Sequence, residues 1–169
     1  MLRNGCILLT REQADALAKV VVVEKTGKDG KVTHMVNRDC VGRDCSVILE
    51  KIGLHVGPEI RCAIAEVPFE HTFVQTELMM PILGIVRVKD IDQAIDFAVK
   101  AEHGNRHTAH MHSKNIDNLS RFATAIETTI FVKNAPSYAG IGFGGEGHTT
   151  FTIAGPTGEG ITSARSYTR

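Results

Sequence analysis

Three histidines lie close together in the segment His107-Thr-Ala-His110-Met-His112. Alternate side chains of a β-strand share one face, so a strand here would place His110 beside His112, with His107 nearby. Grouped imidazoles can bind a metal such as zinc. No cysteine or carboxylate stands nearby to complete the ligand set, and we therefore favour polar decoration of a strand and expect no metal.

Thiol chemistry is the second option, because the chain contains four cysteines, Cys6, Cys40, Cys45 and Cys62. No CxxC pair occurs, and the spacing of Cys40 and Cys45 is too loose for a zinc knuckle. None of the four adjoins a histidine or follows a strained turn, as an activated nucleophile would. We expect free thiols in a cytosolic chain of this size.

A glycine-rich run over residues 131–160 contains half of the chain's 16 glycines. Glycine permits unusual backbone conformations and the close approach of other groups. Flexible linkers are rich in glycine and serine and lack large apolar residues, whereas this run also contains Ile141, Phe143, Phe151 and Ile153. We therefore expect an ordered loop that forms part of a site.

Composition is typical of one globular domain, with 169 residues, 43% hydrophobic and 22% charged residues, and a formal net charge of zero. This charge balance argues against a nucleic-acid or anionic-membrane partner. No apolar run approaches the ~20 residues of a membrane span, and the N-terminus lacks the apolar core of a signal peptide. We expect a cytoplasmic protein.

Local signals predict the elements of the first half. Thr10 and Gln13 have the spacing of a capping box, ahead of a helix with Ala14 and Leu17 on its apolar face. Residues 20–23 can extend this helix or begin a strand. A polar turn is predicted over 25–31 and a buried strand over 62–67. Between them we predict a helix that is capped by Asp44 and stops at Gly53. Its apolar face would consist of Val47, Ile48 and Ile52.

Strands and helices alternate in the second half. The predicted order is a strand over 82–88, a helix capped by Asp90 and Gln93, a strand over 108–112, a helix capped by Asn115, and a strand over 128–132. This order is typical of βαβ units, so we predict an α/β fold, a mostly parallel sheet with flanking helices. Ligands gather beyond the carboxyl ends of such strands, here the loops after Val67, His112 and Val132.

Several motifs resemble the aldehyde dehydrogenase superfamily. TELMMPILGIVRVKD, from Thr76, resembles its E-x-F-G-P strand entry, and HTAHMHSKN, TTIFVKNAPSYAG, GGEGHTTFTIAGPTGEG and TSARSYTR resemble the CoA-acylating branch. Within that branch the motifs are closest to the propionaldehyde and acetaldehyde dehydrogenases of propanediol and ethanolamine utilisation. The resemblance implies oxidation of a short-chain aldehyde with NAD through a cysteine thioester, and transfer of the acyl group to coenzyme A.

Chains of this family are much longer, and the present chain resembles their C-terminal part. The resemblance places the nucleotide-binding half and an N-x-P-C nucleophile upstream of Met1, so we expect the chain to be inactive alone. It implies a partial catalytic domain over 1–160 and an oligomerisation strand over 161–169, which would join copies into a homo-oligomer. A microcompartment inside the cytoplasm is one location that the resemblance suggests. A self-standing binding or assembly module without catalysis is the alternative.

The resemblance also assigns roles to residues. Glu77 matches the glutamate that binds the hydroxyls of the nicotinamide ribose, and Met79 takes the place of an aromatic residue beside that ring; a surface acid is the alternative for Glu77. His107 matches a histidine of the CoA-acylating branch that could protonate or orient groups as the CoA thiol attacks, or it is a structural histidine.

The F-G-G motif is the last part of the implied site. Phe143, Gly144 and Gly145 match this motif, whose phenyl ring helps to wall the aldehyde pocket. Asn134 and Ser137 stand on the same approach to the pocket. For Phe143, a core anchor of the glycine-rich loop is the alternative.

Overall fold

The computed structural model describes residues 1–26, 30, 32–144, 165 and 168. The chain divides into two compact units, Met1–Arg87 and Val88–Arg169. No helix in the described part of the chain is long and apolar enough to cross a membrane. Gly145, the rest of the glycine-rich run to residue 160, and the predicted strand over 161–169 (apart from residues 165 and 168) lie outside the described residues. The predicted domain bounds therefore stay a prediction.

The first unit contains a three-stranded parallel sheet. Its elements are β1 (Cys6–Leu8), α1 (Arg11–Val21), β2 (Val22–Thr26), β3 (Val32–Val36), α2 (Cys45–Glu50), β4 (Cys62–Glu66), α3 (Thr72–Gln75) and β5 (Ile82–Ile85), preceded by a 3-10 helix over Leu2–Asn4. β4 lies in the centre with β1 and β5 on either side, and both pairings are parallel. The register places Leu8 opposite Ile64 and Ile64 opposite Leu83. The predicted buried strand over 62–67 is confirmed as β4.

The predicted capping box begins α1. The hydroxyl of Thr10 accepts a hydrogen bond from the backbone N–H of Gln13 at 3.2 Å, and the Gln13 side chain accepts one from the backbone N–H of Thr10 at 2.9 Å. Two otherwise unpaired donors of the first turn are thus satisfied. Ala14 and Leu17 are fully buried, as the apolar spacing predicts.

A β-hairpin follows α1 that the sequence signals did not identify. The helix ends at Val21 and β2 begins at Val22, so the segment 20–23 both extends the helix and begins a strand. β2 pairs antiparallel with β3, with Val22 opposite Val36 and Thr26 opposite Val32. The predicted polar turn over 25–31 begins within β2, and residues 27–29 and 31 are outside the described part.

The predicted apolar face of α2 is partly wrong. The helix buries Cys45, Ile48 and Leu49, whereas Val47 is 46% exposed. Positions i, i+3 and i+4 share one face of a helix, and the face starts at Cys45, a small apolar residue that the periodicity count passed over. Asp44 is the N-cap residue, although its side chain accepts no capping hydrogen bond.

The second unit contains a two-stranded parallel sheet with helices. Its elements are α4 (Ile91–Ala101), β6 (Thr108–Met111), α5 (Ile116–Ile126), β7 (Ile130–Lys133) and a 3-10 helix over Ser137–Ile141. β6 pairs with β7 in parallel through the crossover helix α5, so a βαβ unit is confirmed here. Asp90 caps α4 as predicted, and the Asn115 side chain accepts from the N–H groups of Asp117 and Asn118 at the start of α5.

The expected single sheet is divided between the two units. β5 pairs with β4, β6 pairs with β7, and the strand predicted over 82–88 ends at Ile85. The α/β class is confirmed, since three of the four strand pairings among the described residues are parallel and helices flank them.

Candidate functional site

The carboxyl ends of β6 and β7 form one edge of the second unit's sheet, because the two strands are parallel. The loops that leave this edge contain Ser113 after β6, and Asn134 and Ser137 after β7. Two of the predicted site-building loops, those after His112 and Val132, therefore leave the sheet at the same edge, while their part in a site stays a prediction.

Asn134 joins the two strand ends through both polar atoms of its side chain. Its Oδ1 accepts a hydrogen bond from the backbone N–H of Ser113 at 2.8 Å, and its Nδ2 donates to the carbonyl oxygen of Ser113 at 2.9 Å. The backbone N–H of Asn134 also donates to the carbonyl oxygen of Met111 at 3.0 Å. Its φ of 53° is left-handed, a conformation that asparagine tolerates better than most residues. The side chain thus holds the loop in position.

Ser137 and His110 form a polar pair at the same edge. The Ser137 hydroxyl lies 3.2 Å from Nδ1 of His110, and both side chains are exposed. The rings of His110 and His112 meet edge to face, with centroids 5.8 Å apart. Within the described part of the chain, no group of three or more His, Cys, Asp or Glu residues could hold a metal ion. An imidazole beside a hydroxyl can exchange a proton with it.

His107 stands at the opposite edge of the same sheet. It precedes β6, and its carbonyl oxygen accepts from the backbone N–H of Ile130, the first residue of β7. Its Nδ1 lies 2.6 Å from the hydroxyl of Thr108. The rise of a strand places His107 roughly 10 Å from His110 along β6. The structure therefore does not bring His107 together with Asn134 and Ser137.

Phe143 and Tyr138 form an exposed aromatic pair after β7. Their ring centroids are 6.5 Å apart, and the backbone N–H of Phe143 donates to the carbonyl oxygen of Tyr138 at 3.0 Å. Together with Ile141 and Gly142 they line an open hollow of about 540 Å³. Phe143 is 78% exposed, which disagrees with the alternative of a core anchor. Gly144 follows with a left-handed φ of 71°.

Glu77 and Met79 belong to the first unit, in the connection between α3 and β5. Both side chains are exposed, Met79 to 68%. Met79 has a left-handed φ of 55°, and its carbonyl oxygen accepts from the backbone N–H of Gly42 at 3.3 Å. Left-handed backbone is uncommon for a residue with a long side chain, and such positions cluster at functional sites. The predicted site residues therefore fall into two sets, one in each unit.

A buried histidine after β4 was not among the predicted site residues. Nδ1 of His71 accepts the backbone N–H of Phe73 at 3.2 Å, so Nε2 carries the proton, and it lies 3.3 Å from Oδ1 of Asp15. Nε2 has no hydrogen-bond partner among the residues that the structure describes. Burial lowers the pKa of His71, and the nearby Asp15 carboxylate acts in the opposite direction. Nε of Arg11 lies 3.0 Å from the same Asp15 oxygen.

These residues line a cavity of about 810 Å³, whose charged lining also includes Lys19, Glu24, His34 and Glu70. His71 uses one ring nitrogen for the start of α3 and directs the other towards Asp15. Because Nδ1 is occupied in this way and Nε2 is buried beside Asp15, we interpret His71 as a structural residue. No sequence spacing indicates this contact, because 56 residues separate its partners; only the prediction of a site-forming loop after Val67 pointed to the region.

Comparison with known proteins finds aldehyde dehydrogenases among the relatives of this chain. The acetaldehyde dehydrogenase (acetylating) EutE of Salmonella typhimurium is 50% identical over 163 residues, and the propanal dehydrogenase (CoA-propanoylating) of the same organism is 45% identical over 166 residues. These matches cover 96% and 98% of this chain.

Solved structures of propionaldehyde dehydrogenases superpose on this chain. A propionaldehyde dehydrogenase from the fucose utilisation microcompartment of Clostridium phytofermentans superposes with a TM-score of 0.84 and 53% identity, covering 98% of this chain and 36% of that one. The propionaldehyde dehydrogenase of Rhodopseudomonas palustris with bound CoA gives a TM-score of 0.87 and 49% identity, covering 99% of this chain and 37% of that one.

The chain spans about a third of the length of the curated relatives it matches, 34% for both Salmonella enzymes. This confirms the expectation that it corresponds to part of a longer enzyme, while the C-terminal position of that part stays a prediction. The sequence pattern of the aldehyde dehydrogenase family matches residues 12–168. The chain belongs to the aldehyde dehydrogenase family.

Proposed function

We propose that the chain is a portion of a CoA-acylating aldehyde dehydrogenase, which oxidises a short aldehyde with NAD and releases an acyl-CoA. The observation that carries this proposal is identity of about half, over nearly all of the chain, to acetaldehyde and propanal dehydrogenases whose names specify acetylation or CoA-propanoylation. Bound CoA in the Rhodopseudomonas palustris relative supports the second substrate.

The two sets of site residues have separate tasks in this proposal. Glu77 offers an exposed carboxylate, which can accept hydrogen bonds from two ribose hydroxyls of the nicotinamide cofactor. That cofactor supplies the hydride acceptor when it is bound. A relative that is 49% identical, an engineered glycolyl-CoA reductase, binds NADP+. The nicotinamide ribose that Glu77 would bind is the same in NAD and NADP, so the proposal of NAD rests on the family resemblance alone.

The second set shapes the substrate side. Asn134 fixes the loop after β7, and this loop presents Ser137, Phe143 and Gly144. The exposed rings of Tyr138 and Phe143 offer an apolar surface that suits a short alkyl chain. For His107 we keep the role of orienting or protonating groups during CoA attack, and Gly145 remains assigned to the pocket wall.

The nucleophilic thiol comes from another part of the enzyme in this proposal. Cys40 and Cys45 are buried, and burial raises the pKa of Cys45 to about 11 and also raises the pKa of Cys62. Little thiolate exists on Cys45 or Cys62 at neutral pH, whereas the attack on an aldehyde requires thiolate. We therefore expect the isolated chain to be inactive.

Assembly completes the proposal. We propose a homo-oligomer joined through residues 161–169, because the alternating sequence there predicts a strand, and such a strand can pair with the sheet of a neighbouring copy. The Clostridium phytofermentans relative comes from a bacterial microcompartment, and this supports a location inside such a compartment.

A chimera tests the proposal. The matching third of EutE from Salmonella typhimurium is replaced by this chain, and formation of reduced nicotinamide is followed with acetaldehyde, NAD and CoA. We expect CoA-dependent turnover in the chimera, and a loss in its Glu77→Ala variant that appears mainly as a raised KM for NAD. A folded chimera that oxidises no aldehyde, beside an active parent enzyme, would refute the proposal.

A further inference from the structure

Cys6 and Cys62 stand opposite each other on the neighbouring parallel strands β1 and β4. Paired positions of neighbouring strands have their side chains on the same face of the sheet, and both cysteine side chains are partly exposed. Paired residues on adjacent strands are about 4.8 Å apart, within the Cα separation of roughly 4.4–6.8 Å that a disulfide requires. The backbone therefore already has the spacing of a cystine.

The other two cysteines are placed differently. Cys45 begins α2 close to both thiols but is only 2% exposed, and Cys40 is fully buried. Burial and the neighbouring thiols raise the pKa of Cys45 and of Cys62, so thiolate is scarce on both at neutral pH. We assign the first attack on the oxidant to Cys6, which lies on the outer strand β1, and the second to Cys62 on the central strand β4.

We propose that Cys6 and Cys62 are an oxidation site, at which a peroxide converts the two thiols into an intramolecular disulfide. The Cys6 thiolate attacks one peroxide oxygen, the O–O bond breaks, and the departing hydroxide takes up a proton to become water. Cys62 then attacks the sulfenic sulfur of Cys6, the S–O bond breaks, and a second water leaves. The two thiols lose two electrons and the peroxide gains them.

This disulfide ties β1 to the central strand and closes the loop formed by residues 6–62 of the first unit. Closing a loop of this length restricts the unfolded chain. The oxidised chain therefore melts at a higher temperature than the reduced chain, and a thiol reductant reverses the difference. The site is independent of aldehyde oxidation and needs no cofactor, so its test separates it from the proposed function.

Tryptic mapping of the native chain tests this site directly. The four cysteines fall on four separate tryptic peptides, 4–11, 39–43, 44–51 and 62–87. The folded chain is treated with hydrogen peroxide at low protein concentration, remaining thiols are alkylated, and the digest is analysed without reduction. We expect one cross-linked species that joins peptides 4–11 and 62–87, at a mass lower by two hydrogens than their sum, within a monomer.

Two variants serve as controls. Cys6→Ser removes the cross-link, while Cys40→Ala retains it, because Cys40 takes no part in the pair. Circular dichroism confirms that each variant is folded. A cross-link from Cys62 to Cys45, a disulfide found only in dimers, or oxidation of Cys6 and Cys62 to sulfinic acids without cross-linking would each overturn the proposal.

Discussion

Asn134 holds the strand ends of the second unit together through both polar atoms of its side chain. The resemblance to aldehyde dehydrogenases suggested a place beside the substrate, and the geometry assigns the amide group to the backbone of Ser113. A residue can stand next to a site and serve it by fixing a loop. Its left-handed φ adds a backbone requirement that side-chain chemistry does not reveal.

Replacement of Asn134 should separate these two effects. Asn134→Ala loses two hydrogen bonds and places at positive φ a residue that tolerates this conformation less well than asparagine, so we expect a loss of about 2–3 kcal/mol in the free energy of unfolding. Asn134→Gly loses the same bonds without that strain and should cost about 1–2 kcal/mol. Urea unfolding measures both. A glycine variant that is less stable than the alanine variant would contradict the assignment.

His71 should make the first unit sensitive to acid. Burial lowers the pKa of His71 below its ordinary value of 6.5, with Asp15 opposing the shift. Below about pH 6.5 the unfolded chain therefore binds a proton that the folded chain does not, and stability falls as the pH falls. His71→Asn keeps a capping acceptor for Phe73 and removes the titration, so urea midpoints between pH 7.5 and 5.5 should change less in this variant.

The control for this titration is His55→Asn. His55 is exposed, so this variant controls for the loss of a histidine that is not buried. Equal slopes for the His71→Asn variant and the unaltered chain would show that His71 does not cause the acid sensitivity.

The 3-10 helix over Ser137–Ile141 packs closely against β7. A Cβ added at Gly140 would lie 2.5 Å from Cγ2 of Ile130 and 2.9 Å from Cγ2 of Val132. Such distances leave no space for a side chain. This one glycine therefore fixes how the site-forming loop leaves the sheet, whereas Gly144 provides a left-handed turn in open space.

Enlarging Gly140 should separate the loop from the strand. Gly140→Ala should cost about 1–3 kcal/mol in the free energy of unfolding, and Gly140→Leu more, because overpacking grows with added volume. Ala125→Leu adds comparable bulk at an exposed position of α5 and should be close to neutral. Thermal unfolding compares the variants. No difference between Gly140→Leu and Ala125→Leu would mean that the close packing does not exist.

Sequence signals correctly predicted the structural features that depend on neighbouring residues. The caps at Thr10, Asp90 and Asn115 depend on residues three positions apart, and all three form as predicted. The hairpin of β2 and β3 was missed because its valines follow a helix directly, although Asp29-Gly30 between the two valine runs is a dipeptide typical of hairpin turns.

Contacts between distant residues could not be predicted in this way. The pairs His110–Ser137 and His71–Asp15 join residues 27 and 56 positions apart, and only the assembled strands bring them together. For the same reason, sequence spacing could not show that His107 lies at the amino ends of β6 and β7, whereas Ser137 lies beyond their carboxyl ends.

For the whole molecule, the first unit leaves one sheet face partly uncovered. Leu8, Ile64 and Leu83 form a row across β1, β4 and β5, and Leu8 and Leu83 are 55% and 45% exposed. With a formal net charge of zero, little repulsion opposes contact between copies. We expect the isolated chain to self-associate through this face.

Sedimentation velocity measures this association. Leu83→Glu places a charge in the row and should shift the distribution towards monomer, whereas Lys89→Glu changes charge at an exposed position outside the row and should not. If the unaltered chain remains monomeric at high concentration, self-association through this face is ruled out.

Identification of the product is the most direct test of the central claim that this chain completes a CoA-acylating enzyme. The chimera with EutE is supplied with acetaldehyde, NAD and CoA, and its products are identified by mass spectrometry. We expect acetyl-CoA in equal amount to the reduced nicotinamide, and formation of both should depend strongly on CoA. Free acetate formed at the same rate with and without CoA would contradict it.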